Sequence, residues 1–124
     1  MNIPNFHDGH FDGLWIGQNK LVHIFLSTQS GKSFILALQG VDALTVSEIK
    51  QGNIIFDVVF RSTQQLTCSD MEELFSVGAE TPKAADLLNA KREQELQLLE
   101  INPSYGAQGL VLFQNFEIRQ STPG

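Results

Sequence analysis

The residues best suited to chemistry in this chain form a cluster at positions 7–12. The cluster holds two of the three histidines and two carboxylates: His7, Asp8, His10 and Asp12. Side chains two positions apart point to the same side of an extended chain, so His10 and Asp12 would face one way. Together with His7 they would supply three of the nitrogen and oxygen ligands that zinc takes. One hypothesis is therefore a small enzyme or metal-binding domain built on this cluster.

The spacing of the cluster, however, matches no metal motif with a known mechanism. The sequence has no His-Glu-x-x-His helix, no Cys and His knuckle and no acidic calcium loop. The Asp-Gly pairs at 8–9 and 12–13 are also ordinary turn residues, because Asp bonds its own backbone and Gly takes a positive φ. We therefore expect no metal, no cofactor and no catalytic residue in the cluster. Its polar residues and the only tryptophan are kept as candidate binding residues: His7, Asp8, His10, Asp12 and Trp15.

Two further reactive side chains are better explained by structure than by chemistry. His23 alternates with apolar residues in a strand pattern, so we expect a structural histidine that could still meet Asp57. Cys68 is the only cysteine and cannot form a disulfide within the chain, which is typical of a reducing compartment. We expect a small, buried Cys68 side chain and a cytoplasmic protein.

The composition excludes several classes of protein. With 124 residues and a mass of 13.8 kDa the chain fits one domain, residues 1–124, since single cores occupy roughly 100–200 residues. Acidic residues outnumber Lys and Arg by 14 to 8, and the net charge of −6 repels nucleic acids and anionic lipids. The first residues lack the pattern of a signal peptide, and no window approaches the roughly 18 apolar residues of a membrane span. We therefore expect no nucleic-acid partner and no membrane partner.

The elements that must position the candidate residues begin with a three-strand meander. Strands are predicted at residues 11–16, 20–28 and 33–39, because turn-rich clusters bound these apolar runs. The last two form an antiparallel hairpin with Gly31 as the residue of positive φ. Residues 41–51 fit a short strand, a helical turn or a loop equally well. A further strand is predicted at residues 54–61, where β-branched and aromatic residues dominate.

The second half of the chain predicts helices followed by two strands. Ser69 and Glu72 have the spacing of a capping box, and Thr81-Pro82 is typical of the start of a second helix. Strands are expected at residues 96–103 and 109–119. The fold class is therefore α+β, with a mostly antiparallel sheet of about six strands in a sandwich or partial barrel. One or two helices are inserted before the last two strands.

Two of the predicted strands are apolar on both faces, at residues 34–38 and 54–60. Such strands normally lie in the middle of a sheet with both faces covered, so we expect Phe34 and Phe56 to be buried. One pair of helices covers only one face of a sheet. The other face then needs the sheet folding on itself or another copy of the chain, and the sequence predicts a homo-oligomer, most simply a dimer.

Several short segments carry a resemblance to known proteins: HDG at 7–9, FDG at 11–13, GV at 40–41, GNII at 52–55 and YGA at 105–107. In these segments the chain resembles small uncharacterised bacterial β-rich proteins, some of which are grouped with immunity proteins of polymorphic toxin systems. The resemblance spans most of the chain, rests on turn and core positions and identifies no active residue. It implies an intracellular binding protein.

These observations favour one function and leave one alternative. The favoured function is a non-enzymatic intracellular interaction protein, in its most specific form an immunity-type inhibitor whose acidic surface covers a basic partner protein. Complementary charge would speed the encounter of the two proteins and fix their register. The alternative is the small enzyme or metal-binding domain that uses the N-terminal His and Asp cluster.

Overall fold

Eight strands and two helices make up residues 3–121, the part of the chain that the computed structural model describes. In chain order they are β1 (His10–Ile16), β2 (Val22–Ser27), β3 (Ser33–Gln39), β4 (Ala43–Ser47), β5 (Asn53–Ser62), α1 (Cys68–Phe75), α2 (Pro82–Arg92), β6 (Gln97–Tyr105), β7 (Gln108–Phe113) and β8 (Asn115–Gln120). A short 3₁₀ turn, Thr63–Gln65, follows β5. The class is α+β, as predicted.

The strands form one open antiparallel sheet in the order β4-β7-β6-β5-β1-β2-β3-β8. The sequence predicted about six strands in a sandwich or partial barrel. The number of strands and the type of sheet both differ from that prediction. One additional strand is β4, which comes from the segment at 41–51. The other arises because the strand expected at 109–119 is interrupted at Gln114 and becomes β7 and β8. Three strands, not two, therefore follow the helices.

The bend at Gln114 explains how one open sheet encloses a core. Strands β7 and β8 are separated by this single residue, yet they occupy the second and the last positions of the sheet. The sheet must therefore curl so that the start of β8 comes close to the end of β7. The Gln114 N–H donates to the carbonyl of Gln39 at 3.0 Å, which joins the bend to the end of β3. Inside the curl, the Phe60 and Phe116 rings stack at 4.7 Å between centroids.

The three-strand meander is confirmed, with local hydrogen bonds that account for it. In β2 the side chains of Val22, Ile24 and Leu26 alternate into the inner core and are at most 2% exposed. Gly31 has a φ of 92°, and its N–H donates to the Thr28 carbonyl at 2.9 Å. A residue with a Cβ is disfavoured at that φ, which is why glycine ends this hairpin.

The two helices pack on the outer side of β4, β6 and β7 and form a second core there. Helix α2 begins at Thr81 and Pro82 as predicted, and the Thr81 hydroxyl accepts the Ala84 N–H at 3.3 Å. Helix α1 begins two residues earlier than predicted. Its N-cap is Thr67, whose capping box uses Asp70, so the Ser69 and Glu72 pair is not the cap. The Thr67 hydroxyl accepts the Asp70 N–H, and the Asp70 carboxylate accepts the Thr67 N–H.

The strands covered on both faces are β6 and β7, which corrects the prediction for residues 34–38 and 54–60. Leu98 and Leu112 pair across these strands and belong to the outer core, whereas their neighbours Leu99 and Val111 belong to the inner core. Phe56 is 53% exposed, because two register shifts between Ile54 and Asp57 break the alternation of β5. Phe34 is partly buried against the inner core.

Candidate interaction surface

The N-terminal His and Asp cluster is divided by the fold into two parts. His7 lies beside β5, where its Nδ1–H donates to the carbonyl of Phe56 at 2.7 Å and its ring meets the Phe56 ring edge-on at 5.5 Å. Its Nε2 lies 3.6 Å from the exposed carboxylate of Asp8. The Asp8 N–H donates to the Ile55 carbonyl at 2.9 Å. His7 and Asp8 therefore attach the N-terminal segment to β5.

His10 and Asp12 lie on β1 and line a groove of about 520 Å³ between residues 10–14 and the turn at residues 49–53. We call this space the β1 groove. A register shift between Phe11 and Gly13 leaves Asp12 without a partner residue on β2, in a bulge with its side chain exposed. His7 and Asp8 do not line the groove. The structure thus brings together two of the three residues proposed as metal ligands and leaves the third elsewhere.

The far wall of the β1 groove is fixed by the buried side chain of Asn53. Its amide nitrogen donates to the carbonyls of Lys50 at 2.8 Å and Phe11 at 3.3 Å. Its amide oxygen accepts the N–H groups of Lys50 at 2.7 Å and Ala107 at 2.9 Å. Both donors and both acceptor positions of the amide are used. Asn53 therefore holds the turn at 49–53 against β1 and against the β6–β7 connection.

A second feature is an apolar surface on the outer side of β1, β2 and β3, which we call the bare face. It consists of Trp15, His23, Phe25 and Ile35. Trp15 pairs with His23, and Phe25 pairs with Ile35, so the four side chains share one side of the sheet. The Trp15 and His23 rings lie 4.9 Å apart between centroids, and the His23 and Phe25 rings 6.5 Å. The Trp15 side chain is 48% exposed.

The bare face lies outside both packed cores of residues 3–121. The outer core that the helices form involves β4, β6 and β7. The inner core takes the alternate residues of β2 and β3, such as Ile24 and Leu36. On β8, Glu117 and Arg119 pair with Ala37 and Ile35 and form an ion pair of 3.2 Å. The bare face therefore has an aromatic centre and a charged border.

The fold explains which candidate residues the sequence could identify. Trp15 lies on the bare face, whereas Phe25 and Ile35 were missed as site residues. Their only signal was strand alternation, which does not show which side the helices cover. His23 does not meet Asp57: it packs against Trp15, and the Asp57 carboxylate accepts a hydrogen bond from Asn102 at 2.7 Å.

The strongest electrostatic arrangement lies outside both surfaces. The Arg61 guanidinium donates to both carboxylate oxygens of Asp70, at 3.0 and 2.9 Å, and to Glu100 at 3.2 Å. The hydrogen bond to Asp70 raises the pKa of Arg61 above its ordinary value, and burial opposes part of that rise. The network links β5 and β6 to the start of α1. We interpret its role as structural, because it holds these three elements together.

Within residues 3–121, no group of three or more His, Cys, Asp or Glu side chains is placed to hold a metal ion. No helix in that range is long and apolar enough to cross a membrane. The chain finds no match among family models, curated proteins or solved structures. What the surface binds must be inferred from its own side chains.

Proposed function

We propose that this protein is a non-enzymatic interaction protein of the cytoplasm, which acts as an immunity-type inhibitor by binding a basic partner protein through the bare face. The observation that carries the proposal is the bare face itself. It presents an exposed Trp ring beside His23 and Phe25 on the half of the sheet opposite to the helices. Aromatic side chains are enriched at the centres of protein interfaces, where they supply most of the binding energy.

The charge of the protein supports a basic partner. The chain has a net charge of −6, and the exposed carboxylate of Asp12, on the same strand as Trp15, forms no ion pair within residues 3–121. Complementary charge accelerates association and orients the partner, whereas the apolar centre slows dissociation. The proposed interface therefore divides these roles between its border and its centre.

The test of this function is the loss of one exposed aromatic ring. We expect Trp15→Ser to weaken binding of the partner at least 30-fold, since a central aromatic residue contributes about 2 kcal/mol or more. The matched control is Tyr105→Ser, because Tyr105 is 53% exposed but lies on β6, away from the bare face. The partner is captured from its native cells with the wild-type protein, then purified, and its Kd is measured for each variant.

Two outcomes would contradict the proposal. The first is a captured partner that binds Trp15→Ser as tightly as wild type. The second is an affinity that does not fall when the salt concentration is raised, because salt screens the attraction between an acidic surface and a basic partner.

The homodimer predicted from the sequence would form through the same bare face when no partner is bound. Without a partner, a second copy is the other occupant that would remove Trp15 and Phe25 from water. We expect light scattering during size-exclusion chromatography at micromolar concentration to give twice the 13.8 kDa of the chain. Trp15→Ser should return the mass to 13.8 kDa. A wild-type mass equal to that of one chain would refute the dimer and leave the partner proposal standing.

A further inference from the structure

We propose that the β1 groove binds an extended segment of the partner protein, which adds to the sheet as a strand beside β1. This inference rests on the proposed function, because it assigns to the same basic partner a second means of contact. The proposed contact uses backbone groups of β1, whereas contact through the bare face uses side chains. Trp15 belongs to the bare face and does not line the groove.

The first argument is that half of β1 has a neighbour on one side only. Strand β5 pairs with β1 only at His10 and Phe11, whereas residues 13–16 pair with β2 alone. A strand with a single neighbour leaves half of its backbone N–H and C=O groups unpaired, and such an edge is a template for another chain.

The register identifies the unpaired groups. The Gly17 N–H donates to the Leu21 carbonyl at 2.9 Å, and these two residues are opposite each other in the β1–β2 hairpin. Hydrogen-bonded and non-hydrogen-bonded pairs alternate along an antiparallel ladder. Trp15 therefore directs its backbone groups toward β2. Leu14 and Ile16 direct theirs away from β2, to the side of β1 on which the groove lies, and we call these four groups the free edge.

The second argument is the shape and lining of the β1 groove. Its opposite wall, the turn at residues 49–53, is held in place by the hydrogen bonds of Asn53. The large hydrophobic residues that line this space include Leu14 and Ile49, and Ile49 is 57% exposed. An added strand would place alternate side chains against them.

The third argument is charge, which specifies the segment. Lys50 is paired with Glu48 at 3.8 Å, whereas Asp12 is exposed in its bulge and forms no ion pair within residues 3–121. The uncompensated charge of the groove is therefore negative. The segment should carry Lys or Arg next to Asp12 and apolar residues against Leu14 and Ile49, that is, basic and apolar residues in alternation.

A synthetic peptide tests the inference without knowledge of the partner. The probe is a capped heptapeptide in which Lys and Val alternate, titrated to about 2 mM, a range that detects a Kd of about 1 mM. Nuclear magnetic resonance follows the amides of the protein. We expect the Leu14 and Ile16 amides to shift and to become protected from exchange. The same peptide with alternate N-methyl groups should bind at least tenfold more weakly, because it cannot pair along its edge.

Two variants and their controls complete the test. Asp12→Lys should reverse the preference, so that a peptide alternating Glu and Val binds better than the Lys peptide, whereas Asp8→Lys, which lies outside the groove, should not. Ile16→Pro removes an N–H of the free edge and should weaken the Lys peptide at least tenfold. A thermal melt like that of the wild type shows that this variant folds.

The outcomes separate this inference from the proposed function. An absence of shifts at Leu14 and Ile16, or equal binding of the N-methylated peptide, would overturn strand addition. A natural partner that is lost by Trp15→Ser but retained by a folded Ile16→Pro would support the proposed function and overturn strand addition. Loss of the partner in Ile16→Pro together with peptide binding at the free edge supports both.

Discussion

Phe113→Ala is expected to lower the free energy of unfolding by about 3–5 kcal/mol, the usual cost of truncating a fully buried aromatic residue. Phe113 is 0% exposed and ends β7 directly before the bend that leads into β8. Its ring lies 6.2 Å from that of Phe60 and 6.0 Å from that of Phe116. Alanine would leave a cavity between three strands that the curled sheet cannot close. Equilibrium unfolding in urea, with both proteins fitted to one m-value, measures the loss.

The matched control is Phe56→Ala, which removes the same ring from an exposed position. Phe56 is 53% exposed, and its ring meets only the edge of His7 among the aromatic contacts of residues 3–121. We expect a loss below about 1 kcal/mol, within the usual range for surface substitutions of this kind. Equal losses for the two variants would contradict the assignment of Phe56 to the outside of β5.

Asp70→Ala is the second substitution with a large expected effect, about 2–4 kcal/mol, because it breaks a partly buried ion pair and removes a helix cap. The Asp70 side chain is 10% exposed and binds Arg61 through both carboxylate oxygens. The same carboxylate accepts the Thr67 N–H at 2.8 Å and so caps α1. Alanine would leave the Arg61 charge with Glu100 alone and would remove the acceptor of the Thr67 N–H. Urea unfolding measures the change.

Three further variants show which interaction causes this loss. Asp70→Asn keeps an acceptor for the cap but removes the charge, so it should recover part of the stability. Glu73→Ala, an exposed residue of the same helix, should change stability by less than about 0.5 kcal/mol. Arg61→Met combined with Asp70→Leu should be less destabilising than Asp70→Ala alone, because the Arg61 charge is removed together with that of Asp70 and the remaining Glu100 side chain is 29% exposed to water. A double variant worse than Asp70→Ala would contradict this account.

The pH dependence of the Arg61 contribution follows from the direction of its pKa shift. The pKa of Arg61 is higher in the folded protein than its ordinary value, chiefly because of the hydrogen bond to Asp70. A group with a raised folded-state pKa contributes fully below its unfolded pKa and loses that contribution as the pH rises through the folded value. For an arginine this loss falls in strong alkali. The contribution of the Arg61 charge to the free energy of unfolding should therefore be constant across neutral and moderately alkaline pH.

The sequence by itself determined the features that depend on neighbouring residues. Alternation of apolar residues in β2, the glycine turn at Gly31 and the Thr81-Pro82 helix start are all local, since their hydrogen bonds join residues a few positions apart. The net charge and the α+β class follow from composition and from the order of these elements. Of the candidate binding residues, Trp15 lies on the bare face and His10 and Asp12 line the groove.

Only the tertiary structure decided how distant segments pair and which faces they cover. Strand β4 exists because residues 43–47 pair with β7, more than sixty positions away, and nothing in their own pattern required it. The register shifts of β5 turn Phe56 outward, and the shift in β1 leaves Asp12 in a bulge. A periodic pattern does not encode such shifts. The sequence pattern of an apolar strand face is also the same whether a helix, a strand or a partner covers that face. The bare face and the free edge are consequences of which half of the sheet the helices occupy and where β5 leaves β1.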